Sequence, residues 1–207
     1  MNLARPWAPI RSPLDMEVVC VLRGTTRPLT GREVARLVRT GSQPAVNAAL
    51  RRLTEEGVVN AEEAGNAYLH TLNREHLATP ALELLADVRT ELLRRLRSEI
   101  AKWKIAPRHV SIFGSAARGD GDTASDIDLF VVRPRGVPDD DPRWRDQLDR
   151  LSDHVFAWTG NHTGLSEVSE RDMPRLRRER PPVMDELSRD AITIAGPEPP
   201  ELLGGRR

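Results

Sequence analysis

The stretch VSIFGSAARGDGDTASDIDLFVV, residues 110–132, holds two apolar runs, Val110–Phe113 and Leu129–Val132, on either side of a polar, glycine-containing segment. Both runs read as short strands bounded by turn residues. Gly114-Ser115 ends the first strand and Asp126-Ile127-Asp128 opens the second. Side chains alternate along a strand, so Asp126 and Asp128 share one face while Ile127 and Leu129 take the other. Two carboxylates about 4 Å apart, at an effective dielectric near 20, repel by roughly 4 kcal/mol. A fold tolerates that where a cation fills the gap. Oxygen-only ligands on a rigid strand suit Mg²⁺, which keeps some waters and takes phosphate oxygens as its other ligands. A glycine after a strand lets backbone approach a phosphate, and the free N–H groups opening the next helix favour an anion. Ser115 adds a hydroxyl donor, and Arg118 is expected to reach a phosphate oxygen. A phosphate cradle beside paired carboxylates is the minimum for metal-assisted nucleotidyl transfer.

The pattern Gly-Ser, ten residues, Asp-x-Asp is similar to the signature of the polymerase β-type nucleotidyltransferase superfamily. The segment FGSAARGDGDTASDIDL, residues 113–129, most resembles the minimal nucleotidyltransferases of bacteria and archaea. The resemblance covers roughly residues 85–195. It implies ATP or another NTP as donor, two Mg²⁺ ions, and transfer of a nucleoside monophosphate to an acceptor hydroxyl. It also implies catalytic and metal-binding roles for Asp126 and Asp128, and nucleotide binding by Gly114, Ser115 and Arg118. Such enzymes add a third carboxylate from a later strand. Glu167, in GLSEVSE (residues 164–170), is the best candidate for the catalytic and metal-binding third acid, with Glu170 and Asp172 as competitors just beyond it. Some minimal nucleotidyltransferases act as antitoxins that add AMP to a HEPN-type partner toxin, which is an alternative role the resemblance implies.

Other readings of these residues are weaker. Asp120-x-Asp122 followed by Asp126 suggests a calcium loop, but Ser125 stands where that loop needs glycine and Val131 where it needs glutamate. The histidines show no metal-ligand spacing. A single cysteine, Cys20, excludes an internal disulfide and a Cys-rich zinc site. The two lysines, Lys102 and Lys104, do not follow glycine, so a Walker A phosphate loop is ruled out.

Upstream, Leu14–Leu72 reads as three helices and a hairpin. Asp15–Arg23 is the first helix. Thr30 caps the second, with Glu33 in capping-box register, and Ser42 caps the third, where Val46, Ala49, Leu50 and Leu53 recur at helical spacing. Gly57 ends the third helix, and Ala64-Gly65-Asn66 turns the hairpin. LTGREVARLV, SQPAVNAALRRLTEEGVV and GNAYLHTL follow one another in an order that resembles a winged helix-turn-helix. The resemblance implies that the third helix presents Gln43, Asn47 and Arg51 to base edges of double-stranded DNA, with Arg39, Thr40 or Arg52 nearer phosphates. Partner docking or homodimer formation is the alternative use of such a module. A transcriptional regulator whose transferase-like domain only senses nucleotide is the alternative for the whole chain.

The expected fold class is α+β: a winged helix-turn-helix over residues 1–79, a linking helix over 80–104, a small mixed α/β nucleotidyltransferase-fold domain over 105–195, and a flexible tail over 196–207. The linking helix carries Leu85, Val88, Leu92, Leu96 and Trp103 as one apolar stripe. At 207 residues the chain has room for two small domains. Its 39% hydrophobic and 30% charged residues fit a globular protein. No apolar run approaches the roughly 18 residues of a membrane span, and no signal peptide is evident, so a cytoplasmic location is expected. Residues 1–80 hold ten arginines against eight acidic residues, and residues 81–207 hold 21 basic against 23 acidic. That balance permits nucleic-acid binding without requiring it.

Overall fold

Apolar periodicity in the first half of the chain is realised as short helices closed by side-chain caps. The computed structural model describes residues 3–202 and divides into two units, Met1–Val88 and Arg89–Arg207. The first unit runs α1 (Pro13–Arg23), β1 (Leu29–Thr30), α2 (Gly31–Leu37), α3 (Gln43–Glu55), β2 (Val59–Ala64), β3 (Ala67–Leu72) and α4 (Thr79–Ala86). At the start of α2 the Thr30 hydroxyl accepts the Glu33 N–H, and the Glu33 carboxylate accepts the Thr30 N–H at 2.8 Å. Ser42 accepts the Ala45 N–H at the start of α3. These caps satisfy donors that a helix leaves unpaired. Val18, Val19, Leu22, Val34, Val46, Leu50 and Leu53 meet in one core. Beside them lies an antiparallel sheet of order β1-β3-β2, whose hairpin turns through Gly65 (φ +60) and Asn66.

One charge sits inside this unit. Asp15 is fully buried. Its carboxylate accepts the N–H groups of Arg11 (2.9 Å) and Ser12 (2.8 Å), the Ser12 hydroxyl (3.0 Å) and the Arg52 guanidinium (2.6 Å). Arg52 is therefore spent inward, a correction to its expected place near DNA phosphates. Thr40 is likewise occupied: its hydroxyl donates to Glu17 at 2.7 Å, and its N–H and that of Arg39 donate to the same carboxylate.

The single linking helix expected over 80–104 is two helices, α4 and α5 (Val88–Ile100), broken at Asp87. Asp87 is a poor helix former whose carboxylate is taken by the Arg23 guanidinium, while its N–H closes on the carbonyls of Glu83, Leu84 and Leu85. Leu82 of α4 joins the first core, and Leu96 and Ile100 of α5 join the second. Leu85 and Val88, expected on the buried stripe, are each 60% exposed.

The second unit continues with β4 (His109–Phe113), α6 (Gly114–Arg118), β5 (Ile127–Arg133), α7 (Pro142–Thr159), β6 (Thr163–Ser169), α8 (Met173–Glu179), α9 (Pro182–Asp190), β7 (Ile192–Ala195) and α10 (Pro199–Leu202). The sheet order is β6-β5-β4-β7, with β5 and β6 parallel and the other pairs antiparallel. Alternation sorts β5 between two cores. Ile127, Leu129 and Val131 pack with Leu96 of α5 and with Trp144, Leu148, Leu151 and Val155 of α7. Phe130 and Val132 pack with Met173, Met184, Leu187 and Leu202. The expected flexible tail is corrected in part: α10 is helical and buries Leu202, while residues 203–207 lie outside those described. Helix α8 had no sequence forecast. No helix among the described residues is long and apolar enough to cross a membrane.

Replacing Arg52 by alanine strips the buried Asp15 carboxylate of its counter-charge. Denaturant unfolding is expected to show a loss of about 2 kcal/mol, moderated by the three remaining donors, whereas Arg51→Ala on the exposed side of α3 stays within about 0.5 kcal/mol.

Candidate active site

The β5 register sets the geometry of the acidic pair. Asp128 lies opposite Phe113 on β4 and opposite Gly164 on β6. Its carboxylate is flanked by two glycines. A Cβ on Gly114, whose φ is +66, would fall 2.5 Å from Asp128 Oδ2, and one on Gly164 would press as hard on Oδ1. That same Gly164 position lies 3.7 Å from the Asp126 Cβ, so both aspartates border one glycine on one face of the sheet. Burial pushes the Asp128 carboxyl above its usual range, the nearby Asp126 and Glu186 charges push it further, and Arg118 opposes them.

Asp126 enters the site from a loop held by its own hydrogen bonds. The Ser125 hydroxyl donates to Asp122 Oδ1 at 2.9 Å, and the Asp122 and Ala124 N–H groups close the turn. The Asn161 side-chain amide donates to the carbonyls of Asp122 (3.1 Å) and Ser125 (2.8 Å), and the Ile127 N–H donates to His162 O at 2.8 Å. Gly121 passes close over Ser115: a Cβ there would lie 2.9 Å from its hydroxyl. Helix α6 is tied to α5 by the Arg89 guanidinium, which donates to the carbonyls of Ala116 (3.2 Å) and Ala117.

Gly114, Ser115, Asp126 and Asp128 thus come together. The expected roles of Arg118 and Glu167 do not fit as simply. Arg118 is tied to Asp120 (3.1 Å) and to Asp190 at the end of α9 (3.0 Å), so it reaches a phosphate only by exchanging one of these partners. Glu167 as a third metal ligand is corrected. It pairs with Val131, one residue out of phase with Asp128, and so faces the opposite side of the sheet. There it accepts the Trp144 indole N–H at 2.8 Å and pairs with Arg133 and Arg145, each at 3.2 Å. Its competitors do not take its place. Glu170 pairs with Arg108 and Arg135 beyond the far end of β6, and Asp172 pairs with Arg175. The β6 side chain on the Asp128 face after Gly164 is Ser166, opposite Phe130.

Sequence reasoning missed Gly164 and Glu186. A glycine inside a strand signals close approach, which was the available cue for Gly164. Nothing local marks Glu186, which nears Asp128 from a helix 58 positions later in the numbering. In the first unit, Gln43 donates to Gly31 O and to Asn47 Oδ1, each at 3.0 Å, so those two amides are linked to the start of α2, while Arg51 is exposed.

Two oxygen-only carboxylates on one face of a strand are a donor set that fits a hard cation such as Mg²⁺. Among the described residues no group of three His, Cys, Asp or Glu side chains is arranged to hold a metal alone. The remaining ligands of such an ion are then water and substrate oxygens.

Because its folded-state pKa is raised, the Asp128 carboxyl costs native stability once pH rises through that value, and costs nothing when protonated in both states. Asp128→Asn is therefore expected to raise the melting temperature at pH 7, with the gain closing below about pH 4. Glu167→Gln is expected to lower it at pH 7 by several degrees, on the order of 2 kcal/mol. Thermal scans at the two pH values separate the strained acid from the structural one.

The family model described as a nucleotidyltransferase domain matches residues 93–166. No curated protein matches the chain. Solved structures similar to it include a toxin–antitoxin complex with AMP-PNP, at 19% identity over 56% of this chain and 79% of that one, with a TM-score of 0.34. A protein from Sulfolobus solfataricus described as a nucleotidyltransferase has 19% identity over 52% and 82%, with a TM-score of 0.32. The archaeal chromatin protein TrmBL2 has 14% identity over 82% and 70%, with a TM-score of 0.29. Likenesses of this size carry nothing about what the chain binds. The matched residues take in most of α5, then β4, α6, β5, α7 and the start of β6.

Proposed function

We propose that the second unit is a Mg²⁺-dependent nucleotidyltransferase that moves a nucleoside monophosphate from an NTP, with ATP the expected donor, to an acceptor hydroxyl. The observation that carries this reading is the Asp126–Asp128 pair held against the Gly114-Ser115 corner, with glycines on both sides of Asp128. Bound at the pair, Mg²⁺ supplies positive charge to the triphosphate and to the oxygens that enter and leave. Asp126 and Asp128 hold the ion, and their spacing is fixed by β5. Gly114 and Ser115 receive the phosphates, since a residue lacking Cβ leaves backbone and hydroxyl open to them. Arg118 turns toward the phosphates by leaving Asp120 or Asp190. The acceptor oxygen attacks the α-phosphorus, the bond to the β-phosphate bridging oxygen breaks, pyrophosphate departs, and the hydroxyl proton is released to solvent.

The test is incorporation of label from α-labelled NTP in the presence of Mg²⁺. Asp126→Asn and Asp128→Asn are each expected to reduce transfer by on the order of 10³-fold, the loss of several kcal/mol of charge stabilisation. Transfer that survives the double substitution would reject the site.

A second reading is favoured by Ser166, which stands on the Asp128 face where a third acid was expected. In it the domain binds nucleotide without transferring it and the first unit acts as a DNA-reading regulator. The support for DNA reading is the order of three helices and a β1-β3-β2 sheet, with Arg51 exposed on α3. Affinity for double-stranded DNA is expected to fall steeply with salt, and Arg51→Ala to weaken it about tenfold. DNA affinity without label transfer selects the regulator.

A further inference from the structure

Residues 89–202 leave one large apolar side chain exposed among those described: Phe156, at 50%. It lies in the last turn of α7, and its ring stacks on exposed His162 with 5.0 Å between centroids and 27° between planes. Apolar burial does not explain a phenyl ring left in solvent, and its location is specific. Gly160 (φ +77) turns the chain out of α7, Asn161 grips the loop before Asp126, and the His162 carbonyl accepts the N–H of Ile127, which lies between the two aspartates. Stepping the β5–β6 register back one residue from Ile127↔Thr163 sets His162 beside Asp126, one strand spacing of roughly 4.8 Å away. Gly164, against Asp128, is two residues along the same strand, or about 6.6 Å. The aromatic pair and the acidic pair therefore share one end of the sheet.

The two sides of that end differ in chemistry. Toward α9 the acidic pair meets Glu186 and the Arg118–Asp190 ion pair, all charged. At the same end of the sheet, by β6 and the end of α7, lies the flat ring surface of Phe156 and His162. A nucleoside triphosphate has the same polarity, anionic at one end and a planar heterocycle at the other.

We propose that Phe156, backed by His162, is the stacking platform for the nucleobase of the bound nucleotide. This rests on the reading of Asp126 and Asp128 as the triphosphate-Mg²⁺ site. Phe156 supplies the face, and His162 fixes the ring plane from behind. Stacking accepts any base, because every base has a π-face. The platform thus holds the base without choosing between adenine and guanine.

Calorimetric titration of the full chain with Mg²⁺-ATP and, separately, Mg²⁺-tripolyphosphate tests the platform, since the second ligand has no base. Phe156→Ala is expected to weaken ATP binding about 10- to 100-fold and leave tripolyphosphate binding within about twofold. Phe156→Trp is expected to keep ATP affinity. The proposal is overturned if Phe156→Ala leaves ATP binding unchanged or weakens both ligands equally. Wild-type protein that binds neither ligand overturns the platform together with the site reading. ATP binding that falls with Phe156→Ala but survives Asp126→Asn/Asp128→Asn overturns the site reading alone.

Discussion

Two negative charges are held together at a place where the backbone gives them no room to part. The Asp128 carboxylate lies against Gly114 and Gly164, where any Cβ would collide with it, and Asp126 borders Gly164 as well. Strand alternation puts both carboxylates on one face, so the repulsion is built into β5 rather than left to side-chain rotation. The surrounding structure maintains that strain. Buried apolar residues on both faces hold β5, Asn161 grips the loop that delivers Asp126, and Arg89 anchors the short helix behind Gly114. A site that concentrates negative charge costs stability until a cation enters, which is the general exchange of stability for chemistry at functional sites.

The opposite face of the same strands uses charge in another way. Glu167 accepts an indole N–H and forms ion pairs with two guanidinium groups, so a largely buried acid there joins β5, β6 and α7. Asp15 does the comparable job in the first unit by gathering the start of α1 and Arg52 of α3. In both places the acid is stabilising because its hydrogen bonds are complete. At Asp128 they are not, and that incompleteness separates a ligand-seeking carboxylate from a structural one.

Local chemistry determined much of what the sequence could say. Thr30 with Glu33, and Ser42 before an apolar periodic run, marked helix starts because capping involves residues three apart in the chain. The Gly-Ser corner and the Asp-x-Asp pair were legible because a strand's alternation is independent of its neighbours. What failed depended on distant partners. The helix over 80–104 breaks at Asp87 because Arg23, 64 positions away, takes its carboxylate. Glu167 lies on the wrong face because the β5–β6 register is set by packing on α7 and by the glycine opposite Asp128, and a shift of one residue reverses every side chain. The gathering of Gly164 and Glu186 around the acidic pair belongs to the same class. Sequence determined which residues carry the chemistry, and tertiary structure alone decided which of them face one another, because pairing across a sheet is a long-range contact that no local pattern encodes.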